Sequence, residues 1–193
     1  MRLTTINGYS TFDVISALQK EIRRGNEKES MFWALELAYS DKSTFTVLIN
    51  RLKIISYENI GLADTGLVCQ ISQGIDDIVY IRNNSTTDEW DIILADVILM
   101  LCRAKKSRIA DHFKVYMKGD YWKNQKLTIP DYTFDYHTRQ GKRMGRKKTT
   151  LEGFNHFIKD GEKLMNEDST LDIYKDDAHK VWRRRVVIED CEK

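Results

Sequence analysis

The chain has 193 residues, of which 41% are hydrophobic and 31% are charged, and its net charge is +2. This apolar content is enough to form a sizeable core and too high for an intrinsically disordered protein. No run approaches the roughly 18 apolar residues of a membrane-spanning helix, and the N-terminus lacks the apolar segment of a signal peptide. We therefore expect a cytoplasmic protein with no membrane partner.

Periodicity in the first half of the chain predicts an all-α fold, because apolar residues recur at three- and four-residue steps and strand patterns are scarce. Six helices are predicted there. The first two span 11–24 and 27–39, the third begins at a cap on Ser43 or Thr44 and ends at Gly61, and the last three span 65–80, 87–102 and 107–118. The remaining end signals are Gly25 as a stop, Asp64 and Ser107 as caps, and Thr86 with Glu89 as a capping box. The fifth helix is apolar nearly all round, so we expect it at the centre of the domain.

The second half of the chain is less regular. Residues 119–132 lose helical periodicity and contain Pro130, which predicts a loop. Short helices are expected at 132–144 and from the Thr149–Glu152 capping box to 166, followed by a last helix from Ser169 to about 188. We predict a main helical domain over residues 1–148 and a C-terminal helical hairpin over residues 149–193.

Motifs for catalysis are lacking in the sequence. There is no phosphate-binding loop, the four histidines are scattered, and the three distant cysteines match neither a disulfide framework nor a zinc ribbon. Cys69 and Cys102 lie in apolar helical patterns, which predicts burial. We expect no enzymatic activity, no cofactor and no metal.

Positive charge is concentrated in residues 103–148, which hold 14 lysines and arginines against four acidic residues. Such an excess suits a polyanion. The candidate nucleic-acid-binding residues are Arg139, Lys142, Arg143, Arg146, Lys147 and Lys148, with a second group at Lys105, Lys106 and Arg108. Gly141 and Gly145 are expected to let backbone amides approach a phosphate, and Tyr132, Phe134 and Tyr136 to offer rings for base stacking. Alternatively, these bases are solubilising charges or contacts to a neighbouring subunit.

Residues 51–64 join the third helix to the fourth. Arg51 and Glu58 lie two turns apart on one helix face, Gly61 provides the exit, and Asp64 starts the next helix. We interpret these four residues as a structural motif in which Arg51, Glu58 and Asp64 hold the helix junction.

Five segments, taken in order, resemble the C-terminal helical region of the replication-associated recombination protein A family (RarA/MgsA and the Werner helicase-interacting protein). They are FDVISALQK at 12–20, MFWAL at 31–35, residues 51–64, residues 97–107, and the Ile-Pro pair at 129–130 with the basic segment that follows. The resemblance covers about residues 11–146 and leaves 149–193 unmatched. It departs from the family at 57–59, which is Tyr-Glu-Asn in place of Ser-Glu-Asp, and at 104–107, which is Ala-Lys-Lys-Ser in place of Ala-Pro-Lys-Ser.

In that family the region follows an AAA+ ATPase module, resembles clamp-loader collar domains and assembles the protein into tetramers. The full-length proteins act at stalled replication forks and associate with single-strand-binding protein and DNA ends. The resemblance therefore implies a clamp-loader-collar-like fold, a homotetramer and a role in DNA replication or recombination. The 193 residues contain no ATPase module, so ATP-driven activity is not implied. A free-standing version suggests a phage or mobile-element product, or the separate partner of an ATPase.

Two functions follow from these observations. The first is a non-enzymatic oligomerising module that binds single-stranded or forked DNA, or replication proteins such as single-strand-binding protein, through its basic face. The second is a protein-interaction module that partners or modulates an AAA+ ATPase or clamp loader without binding DNA. A nuclease is the weakest alternative, because no carboxylate cluster is visible.

Overall fold

The computed structural model describes residues 4–168 and 170–191, with side chains as far as Val186. These residues form helices and contain no β-strand, apart from an isolated bridge between Thr4 and Ser10. The all-α prediction is therefore confirmed. The α-helices are α1 Thr11–Arg24, α2 Glu27–Ala38, α3 Lys42–Asn59, α4 Thr65–Asn84, α5 Trp90–Arg103, α6 Ile109–Tyr116, α7 Trp122–Asn124, α8 Arg139–Arg143, α9 Leu151–His156 and α10 Lys175–Cys191.

The chain divides into two compact units, Met1–Gln125 and Lys126–Lys193, called here the first unit and the second unit. This division falls earlier than the predicted boundary after Lys148. The basic cluster at 139–148 thus lies inside the second unit, together with α9 and α10, which pack against each other.

The first unit has a continuous apolar core formed by α1 to α5. The fully buried side chains include Leu18, Ile22, Leu37, Leu48, Leu52, Ile55, Ile71, Ile75, Ile78, Leu94 and Ile98. Three of the buried positions of α5 are Leu94, Val97 and Leu101, as expected for a central helix. Helices α4 and α5 approach closely at Gly74, where an added Cβ would lie 2.9 Å from Cγ2 of Val97.

Several helix ends follow the predicted signals. Gly25 ends α1 in the left-handed region at φ 80°, and Asp64 caps α4 by accepting the amide of Leu67 at 2.9 Å. The predicted cap of α3 is wrong, because Asp41 fills that place. Its carboxylate accepts the amides of Ser43 and Thr44 at 2.7 and 2.9 Å, so these two residues donate to the cap instead of forming it.

The start of α5 also differs from the prediction. Thr86 and Glu89 form no capping box; α4 instead continues to Asn84, and α5 begins at Trp90 with no side-chain cap. The longer α4 places the guanidinium of Arg82 3.6 Å from the centre of the Phe45 ring and 4.8 Å from that of Trp90. Cation–π packing of Arg82 therefore stabilises α4 beyond residue 80, where the helix was predicted to end.

Helical structure continues through part of the predicted loop at 119–132. A π-helical turn, Met117–Tyr121, joins α6 to α7, and irregular backbone begins only at Gln125. The N-cap position of α6 is Arg108, while the hydroxyl of Ser107 accepts the amide of Ile109 at 3.3 Å. Of the two cysteines expected to be buried, Cys102 is buried and Cys69 is exposed.

Short helices and turns make up the second unit. The helix predicted at 132–144 is reduced to the 3-10 turn Asp131–Thr133 and to α8, and α9 ends with the π-helical turn Phe157–Gly161 rather than at 166. Thr150, not Thr149, caps α9 by accepting the amide of Gly153. Ser169, the predicted cap of the last helix, lies outside the described residues, and α10 begins at Lys175.

Candidate nucleic-acid interface

The 51–64 motif is built around Glu58, which connects three segments of the first unit. Its carboxylate accepts Nε2 of Gln19 at 2.8 Å and Nη2 of Arg23 at 3.1 Å, both from α1, and lies 3.6 Å from Nη2 of Arg108. Arg51, the predicted partner, makes no ion pair with any residue that the structure describes. Glu58 therefore holds the junction with arginines from outside its own helix.

The rest of that motif is also structural. The carbonyl of Asn59 accepts the amide of Ser107 at 2.7 Å, which ties the end of α3 to the start of α6. Gly61 has φ +47°, a left-handed value that favours glycine, and Asp64 caps the following helix. Asn59, Gly61 and Asp64 thus position the backbone at this junction.

The second basic group is largely engaged within the first unit. The ammonium of Lys106 donates to the carbonyls of Leu101, Cys102 and Ala104 at the end of α5, and burial lowers its pKa. Arg108 pairs with Asp111 and lies near Glu58, so that only Lys105 is fully exposed in this group. Lys106 and Arg108 are thus engaged in contacts within the first unit.

One member of the main cluster is likewise internal. Arg146 donates to the carboxylate of Asp131 at 2.7 Å and to the carbonyl of Phe134 at 3.0 Å, and its side chain is only 14% exposed. These contacts, chiefly the hydrogen bond from the guanidinium, lower the pKa of the Asp131 carboxyl. Arg146 therefore braces the turn that precedes α8.

The other five bases of the cluster form the open surface of the candidate site. They are exposed, and within the described part of the chain none makes an ion pair or a side-chain hydrogen bond. These five residues, called here the exposed bases, are Arg139, Lys142, Arg143, Lys147 and Lys148. Their charges lie on α8 and on the turn between α8 and α9, and no described carboxylate lies within ion-pair distance of them.

Gly141 and Gly153 are packed closely against backbone. Gly145, which like Gly141 was expected to approach a phosphate, has φ +87°, and an added Cβ there would lie 3.4 Å from Oε2 of Glu152. A Cβ on Gly141 would lie 2.0 Å from the carbonyl oxygen of Asp135, and one on Gly153 would lie 2.1 Å from that of Lys147. Gly141 and Gly153 each also donate their amide to a threonine three residues earlier, Thr138 or Thr150. Two copies of a Thr-x-x-Gly turn, twelve residues apart, thus hold the backbone that carries the exposed bases.

A cavity of about 380 Å³, called here the aromatic pocket, opens in the second unit. Its lining consists of Tyr136, Lys148, Phe154, Phe157, Trp182, Arg185 and Val186. Of the three upstream rings proposed for base stacking, only Tyr136 lines it. Phe154 comes from α9, Phe157 from the π-helical turn that follows α9, and Trp182 from α10. These rings were missed, although the spacing of positions 154 and 157 by three residues indicates a shared helix face. The exposed run at 183–185, three consecutive arginines, was also overlooked.

Other kinds of site find little support in the described residues. No group of three or more His, Cys, Asp or Glu side chains among them is placed to hold a metal ion. None of the helices described is long and apolar enough to cross a membrane.

Comparison with known proteins identifies the family of the chain. A family model described as MgsA AAA+ ATPase C terminal matches residues 26–181, which is most of the chain and includes residues of both units. The match extends beyond residue 146, where the resemblance seen in the sequence ended, and so covers the exposed bases, α9 and the start of α10. A comparison with curated proteins found no match. The chain belongs to the family of MgsA AAA+ ATPase C-terminal domains.

Proposed function

We propose that this chain is a non-enzymatic, oligomerising cytoplasmic module of DNA replication or recombination that binds single-stranded or forked DNA through the exposed bases. The observation that carries the proposal is the set of five unpaired cations on one short stretch of the second unit. Membership in an AAA+ ATPase-associated family is consistent with this role.

The physical case rests on counterion release. A cation that is already paired with a carboxylate must lose that partner before it gains a phosphate, whereas Arg139, Lys142, Arg143, Lys147 and Lys148 have no such partner among the described residues. Each contact with a DNA phosphate releases condensed counterions, so five unpaired bases make a sequence-independent site. The engaged bases Lys106, Arg108 and Arg146 are expected to contribute little.

Fluorescence anisotropy with a labelled single-stranded oligonucleotide tests this proposal at low salt. Changing the five exposed bases to glutamine should abolish most of the affinity. The matched control changes five exposed lysines of the first unit to glutamine, and so has the same net charge as the first variant. These lysines, which make no ion pair with a described residue, are Lys20, Lys28, Lys42, Lys118 and Lys123. Equal loss of affinity in both variants, or in neither, would contradict binding at the exposed bases.

Oligomerisation is supported by an apolar surface on α6 and α7 of the first unit. Ile109, Phe113, Tyr116 and Trp122 are between 55% and 71% exposed, and no residue of α6 is buried. We call these four residues the apolar face. Large apolar side chains grouped in this way mark protein–protein contacts.

Light scattering tests this part of the proposal. The wild-type chain should have the mass of a tetramer, and changing Phe113 and Trp122 to glutamate should give monomers. The control changes Tyr80 and Ile173, which are 68% and 73% exposed, to glutamate. A wild-type monomer would remove oligomerisation from the proposal.

The same apolar face supports the alternative function, a module that partners or modulates an AAA+ ATPase or clamp loader without binding DNA. Under that alternative the exposed bases are only solubilising. It predicts no DNA affinity at moderate salt and a stable complex with an AAA+ partner that is lost in the Phe113 and Trp122 variant.

A further inference from the structure

The aromatic pocket of the second unit has rings that are only partly covered by protein. The centres of the Tyr136 and Phe157 rings are 5.1 Å apart, and the planes are inclined by 47°. Trp182 from α10 lines the same cavity and keeps 40% of its surface exposed, although the centre of the His179 ring lies 5.8 Å from that of its indole. In contrast to the core of the first unit, these side chains stop short of filling the space between them.

The charged side chains that line the pocket are both basic. Among the residues that line it, the charged ones are Lys148 and Arg185, and both are exposed. Lys148 is also one of the exposed bases, so the pocket lies directly beside the surface proposed to bind phosphates. The cavity of about 380 Å³ is within the range of small-ligand pockets, about 300–1,000 Å³.

We propose that the aromatic pocket stacks one unpaired nucleobase of single-stranded DNA, while Lys148 and Arg185 hold the adjoining phosphates. This inference rests on the proposed DNA binding and extends it from a charge contact to a recognition of single strands. Aromatic rings beside a basic track are the combination with which proteins bind single strands without reading sequence.

The preference for single strands follows from how easily the flat face of a base can reach the pocket. In a duplex each base is stacked and paired, so its flat face cannot reach Trp182 or Tyr136 until it leaves the helix. A single strand presents that face at much lower cost. The exposed bases would bind phosphates of either form, whereas the pocket would favour only the single strand.

Three probes of equal length separate the pocket from the charge surface: a deoxythymidine oligonucleotide, an oligomer of abasic sites, and a duplex. Wild-type protein should bind the thymidine strand about tenfold or more tightly than the abasic strand, since each stacked base contributes roughly that factor. Trp182→Ala should lose this advantage and leave abasic and duplex binding unchanged. Trp182→Phe, which keeps a ring, should recover much of it.

Tyr174→Ala is the matched control, because Tyr174 is a 73% exposed aromatic residue of the second unit that does not line the pocket. It should bind all three probes as the wild type does. A circular dichroism melt of each variant checks that the helices form, and the phenylalanine variant covers the case in which the alanine variant fails to fold.

The two proposals fail in different ways. If the wild type binds thymidine and abasic strands equally, with affinity that falls as salt rises, the pocket proposal is overturned and the charge surface stands. If Trp182→Ala and Tyr174→Ala weaken binding equally, the pocket is likewise overturned. If the wild type binds none of the three probes, both proposals are overturned.

Discussion

The two units of this chain are stabilised in different ways. The first unit buries a continuous apolar core contributed by five helices, whereas in the described part of the second unit only Gly141, Gly153 and Val186 are buried. The second unit relies on threonine caps, glycine-to-backbone contacts and the Arg146–Asp131 ion pair. Most of its large side chains are exposed or half-buried, whereas those of Arg146 and His156 are only 14% and 10% exposed.

This contrast has a functional consequence. In the first unit Lys106 and Arg108 are held in structural contacts, although other bases there, such as Lys20, are exposed and make no ion pair with a described residue. Where backbone contacts fix the turns, as around Gly141, the side chains of the neighbouring bases stay unpaired. A lightly packed unit can therefore offer both charges and aromatic rings to a ligand.

The largest effect on stability should come from the core of the first unit. Leu52→Ala removes a side chain with no exposed surface, and the free energy of unfolding should fall by about 2–5 kcal/mol because a cavity remains. Urea denaturation followed by circular dichroism measures this loss. The control is Leu171→Ala in the second unit, 80% exposed, which should change stability by less than about 0.5 kcal/mol.

In the second unit the sensitive positions should be glycines. Gly141→Ala places a Cβ against the carbonyl of Asp135, and since a backbone group cannot rotate away, the unfolding free energy should fall by about 1–3 kcal/mol. Gly119→Ala is the matched control, because an added Cβ there has no neighbour within 4 Å. Equal stability of the two variants would show that α8 does not need the close contact.

Glu58 and Arg51 offer a comparison within one helix. Glu58→Ala leaves the partly covered Arg23 without its carboxylate and removes the weaker of the two carboxylate contacts of Arg108, so the first unit should lose about 1–3 kcal/mol of stability. Arg51→Gln should cost less than about 0.5 kcal/mol. Thermal or urea melts compare the two, and a larger loss at Arg51 would contradict the network described around Glu58.

A smaller effect should appear in the pH dependence of the first unit. Hydrogen bonds from the Ser43 hydroxyl and the Thr44 amide lower the pKa of Asp41, so the ionised cap stabilises the folded state. That contribution is complete above the ordinary pKa of an aspartic acid and is lost as the pH falls through the lowered value. Wild type should therefore melt above Asp41→Asn at neutral pH and lose this advantage in acid; a constant difference would refute the assignment.

Periodicity and end signals predicted the first unit well because its helices bury one face in a common core. Gly25 and Asp64 act as expected, since each works through its own backbone neighbourhood. The prediction failed where a distant group decides the outcome. Arg82 extends α4 by stacking on Phe45, and Glu58 takes its arginines from outside α3, neither of which local spacing reveals.

The candidate site was located by composition, but the composition did not distinguish among its bases. Six basic residues in twelve marked the region, yet Arg146 differs from Arg143 through its contacts with Asp131 and the carbonyl of Phe134, which lie fifteen and twelve residues away in the chain. The pocket was harder to predict, because its rings come from α9, the π-helical turn after it and α10 as well as from Tyr136. Only the folded second unit brings them together.

The most direct test of the account is the salt dependence of single-strand binding by the wild type and by the variant that lacks the five exposed bases. The logarithm of the wild-type association constant should fall linearly with the logarithm of salt concentration, by a slope of about 0.7 for each phosphate bound. The variant should have a slope smaller by up to about 3.5, while the five-lysine control keeps the wild-type slope. An unchanged slope in the variant would contradict the assignment of the DNA surface to the second unit.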